Sequence, residues 1–289
     1  MEKPFFSGVC TALVTPFLGE KVNYPMLEQL LRRQVDAGIE AVVVCGTTGE
    51  APTLTDAEKL EIFRRAKNYV GSDCKIIAGT GSNSTAHTLQ LSRMAEGCGV
   101  DGLLVVTPYY NKANESGLIA HYEALAHSVN LPIILYNVPS RTGLDISVKT
   151  YRQLAEITNI VGVKEASTDI TKIGKIRYTC GQNLHIWTGN DDQITPVISM
   201  GGMGVISVLS NILPYETQKM AKAALDGDFH TASAMQVQMQ PLIELLFSEV
   251  NPVPVKEAMG LIGFDCGPCR LPLGPMNPEK KKELTKFFQ

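Results

Sequence analysis

Short apolar runs rich in β-branched residues recur along the chain, each followed by a longer stretch in which apolar positions return every three or four residues. The runs are V-C-T-A-L-V-T (9–15), A-V-V-V-C-G (41–46), K-I-I-A-G (75–79), G-L-L-V-V-T (102–107), P-I-I-L-Y-N (132–137), I-V-G-V-K (160–164), H-I-W-T-G (185–189) and G-V-I-S-V (204–208). They do not alternate apolar with polar, so they read as strands covered on both faces, the pattern of a parallel sheet. The intervening segments carry helical spacing, as in Leu27, Leu30, Leu31 and Val35, and helix-start signals. Thr55 with Glu58 forms a capping box, and Ser84 precedes T-A-H. Eight such cycles predict an α/β fold, a closed (β/α)8 TIM barrel over residues 1–228. A doubly wound sheet needs a glycine-rich phosphate turn after its first strand. Here T-P-F-L-G-E follows instead, and G-T-G at 79–81 lacks the third glycine. Residues 229–289 hold three more helical stretches, too small for a core of their own, and read as a C-terminal helical extension packed on the barrel.

Composition narrows the setting. With 44% hydrophobic and 19% charged residues, the chain looks like an ordinary globular protein, and no run approaches the roughly 18 apolar residues of a membrane span. The opening M-E-K-P-F-F-S-G-V does not resemble a signal peptide, which points to the cytoplasm. A net charge of −3 is too mild to argue for nucleic acid or a membrane surface, and neither is expected as partner. K-K-K at 280–282 reads as a solvated helix face. Seven scattered cysteines suit reduced, buried thiols. Cys266-Gly-Pro-Cys269 has the spacing of a redox motif, but the weak strand candidate L-I-G-F-D precedes it and R-L-P-L-G-P, which forbids a helix, follows. None of the five histidines has ligand spacing; His121 and His127 are six apart.

Candidate chemistry collects at the C-terminal ends of the strands, where barrels of this kind place their active sites. G-T-T-G-E (46–50), T-P-Y-Y (107–110), Y-N-V-P-S-R-T-G (136–143), Lys164 and T-G-N-D-D (188–192) all fall there. A lysine ending the run I-V-G-V is either a snorkelling surface residue or an amine held in a poorly solvated site as a nucleophile. Thr47 and Thr48 suit a small carboxylate, tyrosines can move protons, and Arg141 offers a fork for a second carboxylate.

Taken in order from G-V-C-T-A-L-V-T-P-F through these motifs to N-P-V-P-V-K and R-L-P-L, the whole chain resembles the pyruvate-dependent class I aldolase barrels, the family of N-acetylneuraminate lyase and dihydrodipicolinate synthase. The arginine after Y-N-V-P-S looks like that of the synthase branch, and sialic acid lyases differ at that loop. The resemblance implies condensation of pyruvate with L-aspartate 4-semialdehyde, in the route to diaminopimelate and lysine. It implies that Lys164 is the Schiff-base amine, that Tyr136 is general acid and base, and that Thr47 links Tyr136 to Tyr110 in a proton relay reaching across a tight dimer interface. Thr48 then holds the pyruvate carboxylate, Arg141 that of the semialdehyde, and backbone carbonyls of Gly189 and Ile206 line the pocket. No metal or other cofactor is implied, since the protonated imine is the electron sink. The implied assembly is a homo-oligomer, a dimer of tight dimers. A sugar-acid lyase and a thiol redox protein using Cys266 and Cys269 are the alternatives. Some synthases bind lysine at that interface, in a site resembling Ala51, Pro52, Asp56, Lys59, Asn83, His87 and Tyr109. Sensitive members carry a glutamate where His87 stands and a histidine where Lys59 stands, so this chain is expected to be insensitive to lysine.

Overall fold

The computed structural model describes residues 3–289. Eight parallel strands, Gly8–Ala12 (β1), Ala41–Val44 (β2), Lys75–Gly79 (β3), Gly102–Val106 (β4), Ile133–Asn137 (β5), Ile160–Glu165 (β6), His185–Thr188 (β7) and Gly204–Ser207 (β8), close into a barrel in sequence order. The helices that follow them are Tyr24–Asp36 (α1), Asp56–Val70 (α2), Thr85–Gly97 (α3), Glu115–Ala126 (α4), Val148–Leu154 (α5), Thr171–Cys180 (α6), Ile194–Ser199 (α7) and Pro214–Leu225 (α8). Every residue of β2, β7 and β8 is buried, as expected for strands covered on both faces. Their side chains divide by alternation. Val42 and Val44 join the core beneath the helices, whereas Ala41 and Val43 fill the lumen with Ile77, Ile134 and Ile206. Also in the lumen, Phe6 stacks on Trp187 with ring centroids 4.6 Å apart.

The capping box at Thr55 and Glu58 is present, and the Ser84 hydroxyl accepts the His87 N–H. β1 stops earlier than expected, at Ala12: the Leu13 N–H still reaches the carbonyl of Val43 at 3.0 Å, but the Val14 N–H donates to Oδ1 of Asn211 at 3.2 Å in place of a ladder bond. The chain then turns into an unforeseen hairpin, Phe17–Leu18 paired with Lys21–Val22, and the Phe17 N–H donates to the carbonyl of Cys266 at 2.9 Å. β6 runs one residue further than expected, to Glu165. The extension forms three helices, Phe229–Leu246 (α9), Val253–Leu261 (α10) and Pro278–Phe287 (α11). α9 packs on α7 and α8, and it carries α10 and α11. L-I-G-F-D is not a strand: Leu261 is the last residue of α10, and the Phe264 N–H turns back to the carbonyl of Met259. No helix among the described residues is long and apolar enough to cross a membrane.

Candidate active site

Lys164 and Tyr136 are register partners at the C-terminal ends of adjacent strands β6 and β5. Both are buried, at 5% and 6% exposure, so Lys164 is not a snorkelling surface residue. Its Nζ lies 4.5 Å from the centroid of the Tyr136 ring, a cation–π geometry. Among the described residues no carboxylate comes within ion-pair distance of that ammonium. Gly189, just past β7, lies against the lysine stem: a Cβ there would sit 2.8 Å from Cε of Lys164 and 2.7 Å from Cβ of Ala166.

Asp191, in the same T-G-N-D-D stretch, is a buried carboxylate for which the sequence suggested no role. Its Oδ2 accepts the N–H groups of Val208 at 3.0 Å and Leu209 at 2.9 Å, tying the end of β7 to the end of β8. Burial pushes its carboxyl above the usual range, against these hydrogen bonds and the positive charge of Lys164. Burial also raises the thiol of Cys10, on β1, with Cys74 adding to the rise and Lys164 opposing it. Ile206 belongs to the same lumen cluster as Tyr136.

The G-T-T-G-E loop leaves β2 through two left-handed residues, Cys45 (φ 54°) and Glu50 (φ 55°). It folds closely onto β3, where a Cβ on Gly79 would fall 2.1 Å from the Cys45 carbonyl oxygen, and the Thr15 hydroxyl donates to the carbonyl of Gly49 at 2.7 Å. Thr47 is half-buried, and Thr48 is buried. Thr48 Oγ1 accepts from Nδ2 of Asn251 at 2.9 Å. Arg141, on the helical turn Pro139–Thr142 after β5, is exposed, and its Nη2 donates to the main-chain oxygen of Asn251 at 3.1 Å. Asn251 thus joins the two groups expected to hold carboxylates. No spacing rule could have found it, since it stands 203 residues from Thr48 and 110 from Arg141.

Tyr110 stands apart. Its side chain is 90% exposed, its φ is 73°, and it makes no hydrogen bond to Thr47 or Tyr136 among the described residues. In the second candidate region, Asp56 accepts from Nε2 of His87 at 3.1 Å and lies 3.9 Å from Nζ of Lys59, while His87 Nδ1 meets Ser82 Oγ at 3.3 Å. Asn83 and Tyr109 are half-buried nearby in the chain, the Asn83 carbonyl accepting from Asn111 Nδ2 at 3.0 Å. Cys266 and Cys269 are free thiols, each pushed up to about 12, chiefly by burial. That is the opposite of the lowered value that makes a cysteine a redox nucleophile.

A buried amine held against a phenol can add to the carbonyl of a small keto acid and move a proton next to it. The sequence model of the dihydrodipicolinate synthetase family matches residues 5–289. A 4-hydroxy-tetrahydrodipicolinate synthase of Thermoanaerobacter sp. (strain X514) is 46% identical over 289 residues, covering 98% of this chain and 97% of that protein. Among solved structures, the dihydrodipicolinate synthase of Aquifex aeolicus superimposes with a TM-score of 0.96 at 41% identity, over 98% of this chain and 97% of that one. A lysine-bound synthase from Cyanidioschyzon merolae gives 0.95 at 39%, with the same coverage. The chain therefore belongs to the dihydrodipicolinate synthetase family.

Proposed function

We propose that the protein condenses pyruvate with L-aspartate 4-semialdehyde to 4-hydroxy-tetrahydrodipicolinate through a Schiff base on Lys164, and the buried Lys164–Tyr136 pair carries the reading. The lysine amine adds to the ketone of pyruvate. Loss of water gives the imine, with Tyr136 passing the protons at that carbon. Removal of a methyl proton converts the imine to an enamine, and the protonated imine nitrogen takes up the electron pair. The enamine carbon attacks the aldehyde of the second substrate, forming the new C–C bond and an alkoxide that is protonated to the 4-hydroxyl. The amino group of that substrate then displaces Lys164 from the imine carbon, closing the ring and freeing the enzyme. Thr48 holds the pyruvate carboxylate and Arg141 the carboxylate of the semialdehyde, both steadied by Asn251.

The exposed Tyr110 supports a site completed between copies in a tight dimer, with Thr47 linking the two tyrosines and two such dimers pairing. Seven free thiols accord with a reducing, cytoplasmic setting. Asp56 is already engaged by His87 and Lys59, which supports loss of any lysine-binding role at Lys59, Asn83, His87 and Tyr109. Parallel assays decide the substrate class. Turnover with pyruvate plus aspartate semialdehyde, and none with N-acetylneuraminate, is expected; the reverse would assign the chain to the sugar-acid lyases.

A further inference from the structure

The strand pair that presents Lys164 and Tyr136 to the lumen presents Asn137 and Glu165 to the other face, because successive side chains on a strand alternate. Asn137 and Glu165 are themselves register partners, and both are buried. Nδ2 of Asn137 donates to Oε1 of Glu165 at 2.9 Å and to Oδ1 of Asp145 at 2.7 Å. The Tyr151 hydroxyl donates to Oε2 of Glu165 at 2.8 Å, and the Ser167 N–H donates to Oε1 at 2.9 Å. Nζ of Lys172 lies 3.4 Å from the same carboxylate and also pairs with Asp145. The Glu165 side chain is only 1% exposed. A carboxylate so far from water is tolerated when donors converge on it, and here they come from β5, α5, α6 and the loop after β6.

We infer that Glu165 is a positioning residue for the Schiff-base centre: its clamp by Asn137, Tyr151 and Lys172 sets where the ends of β5 and β6 hold Tyr136 and Lys164. This rests on the reading of Lys164 as the nucleophile. The backbone carries the link directly. The Ala166 N–H donates to the carbonyl of Asn137 at 2.9 Å, and the Gly189 N–H, beside the Lys164 stem, donates to the carbonyl of Glu165 at 2.8 Å. Releasing the carboxylate from its donors loosens two strand ends and the glycine that bounds the lysine. The amine and the phenol must both meet one substrate carbon, so a shift near 1 Å is enough to slow the step.

Glu165→Gln keeps the volume but turns one acceptor into a donor aimed at other donors. Tyr151→Phe removes a single hydrogen bond and guards against a glutamine variant that does not fold. In each variant, long exposure to pyruvate with borohydride counts the competent sites, and the initial rate of labelling and kcat are then expressed per labelled site. The expected result is a loss of about tenfold to a hundredfold per labelled site for Glu165→Gln and a smaller loss for Tyr151→Phe. KM for the semialdehyde should be unchanged in both. Wild-type rates per labelled site in Tyr151→Phe and in any folded Glu165→Gln, with only fewer sites labelled, would reduce the clamp to a stability element and overturn the inference. Absence of label on wild-type Lys164 would remove the reading on which it rests, an outcome visible before any variant is made.

Discussion

Nζ of Lys256, on α10, lies 2.9 Å from Oε1 of Glu50, the last residue of the G-T-T-G-E loop. The two side chains are 3% and 0% exposed, and the Arg270 N–H closes on Oε2 at 2.8 Å. Lys256 and Arg270 also lie over the Phe17 ring, at 4.4 and 4.2 Å from its centroid. The C-terminal extension thereby holds the loop that presents Thr47 and Thr48.

Lys256→Met strands Glu50 as a buried charge with its main partner gone. Its cost should be about 3 kcal/mol or more in unfolding free energy, read from denaturant titration. KM for pyruvate should rise in the same variant, because Thr48 sits on the loosened loop. A fully stable variant with unchanged KM would show that the ion pair is incidental.

Gly189→Ala places a methyl where Lys164 and Ala166 already stand, at 2.8 and 2.7 Å. The lysine stem must move, so imine formation should slow by roughly tenfold or more while circular dichroism stays native. Unchanged labelling kinetics would mean that the stem adjusts freely.

Arg141→Ala should spare pyruvate capture and weaken use of the semialdehyde. Arg141 is exposed and, among the described residues, its hydrogen bond is to the Asn251 carbonyl, so the loss is set near that of one charge-assisted hydrogen bond, about 2 kcal/mol or roughly thirtyfold in kcat/KM. Equal losses in both half-reactions would point to a role in holding the entrance.

Lysine should leave the enzyme uninhibited at millimolar concentration. A cationic amino acid entering beside Asp56 must displace His87 and face Lys59, a buried cation. Steady-state assays with and without lysine check this. Inhibition below millimolar would mean that Asp56 exchanges its partners for the ligand.

The barrel was legible because parallel strands buried on both faces leave unbroken apolar runs, as in A-V-V-V, and because the strand ends then place the site motifs by topology alone. What stayed hidden was long-range pairing. Glu50 and Lys256 are 206 residues apart, so no local pattern joins them, and the same holds for Asn251 with Thr48. The hairpin at residues 17–22 has strands of two residues, too short to show a period. Lys172 carries no local signal in the sequence. It is a buried partner of Glu165 on the far side of β6, a role set by helix packing that composition does not carry.

The most direct test of the Schiff-base reading is peptide mass spectrometry after incubation with pyruvate and borohydride. The expected result is one reduced pyruvate adduct, located on Lys164, and none anywhere in a folded Lys164→Ala variant. An adduct on Lys172 or Lys256, or trapping that survives in Lys164→Ala, would contradict it.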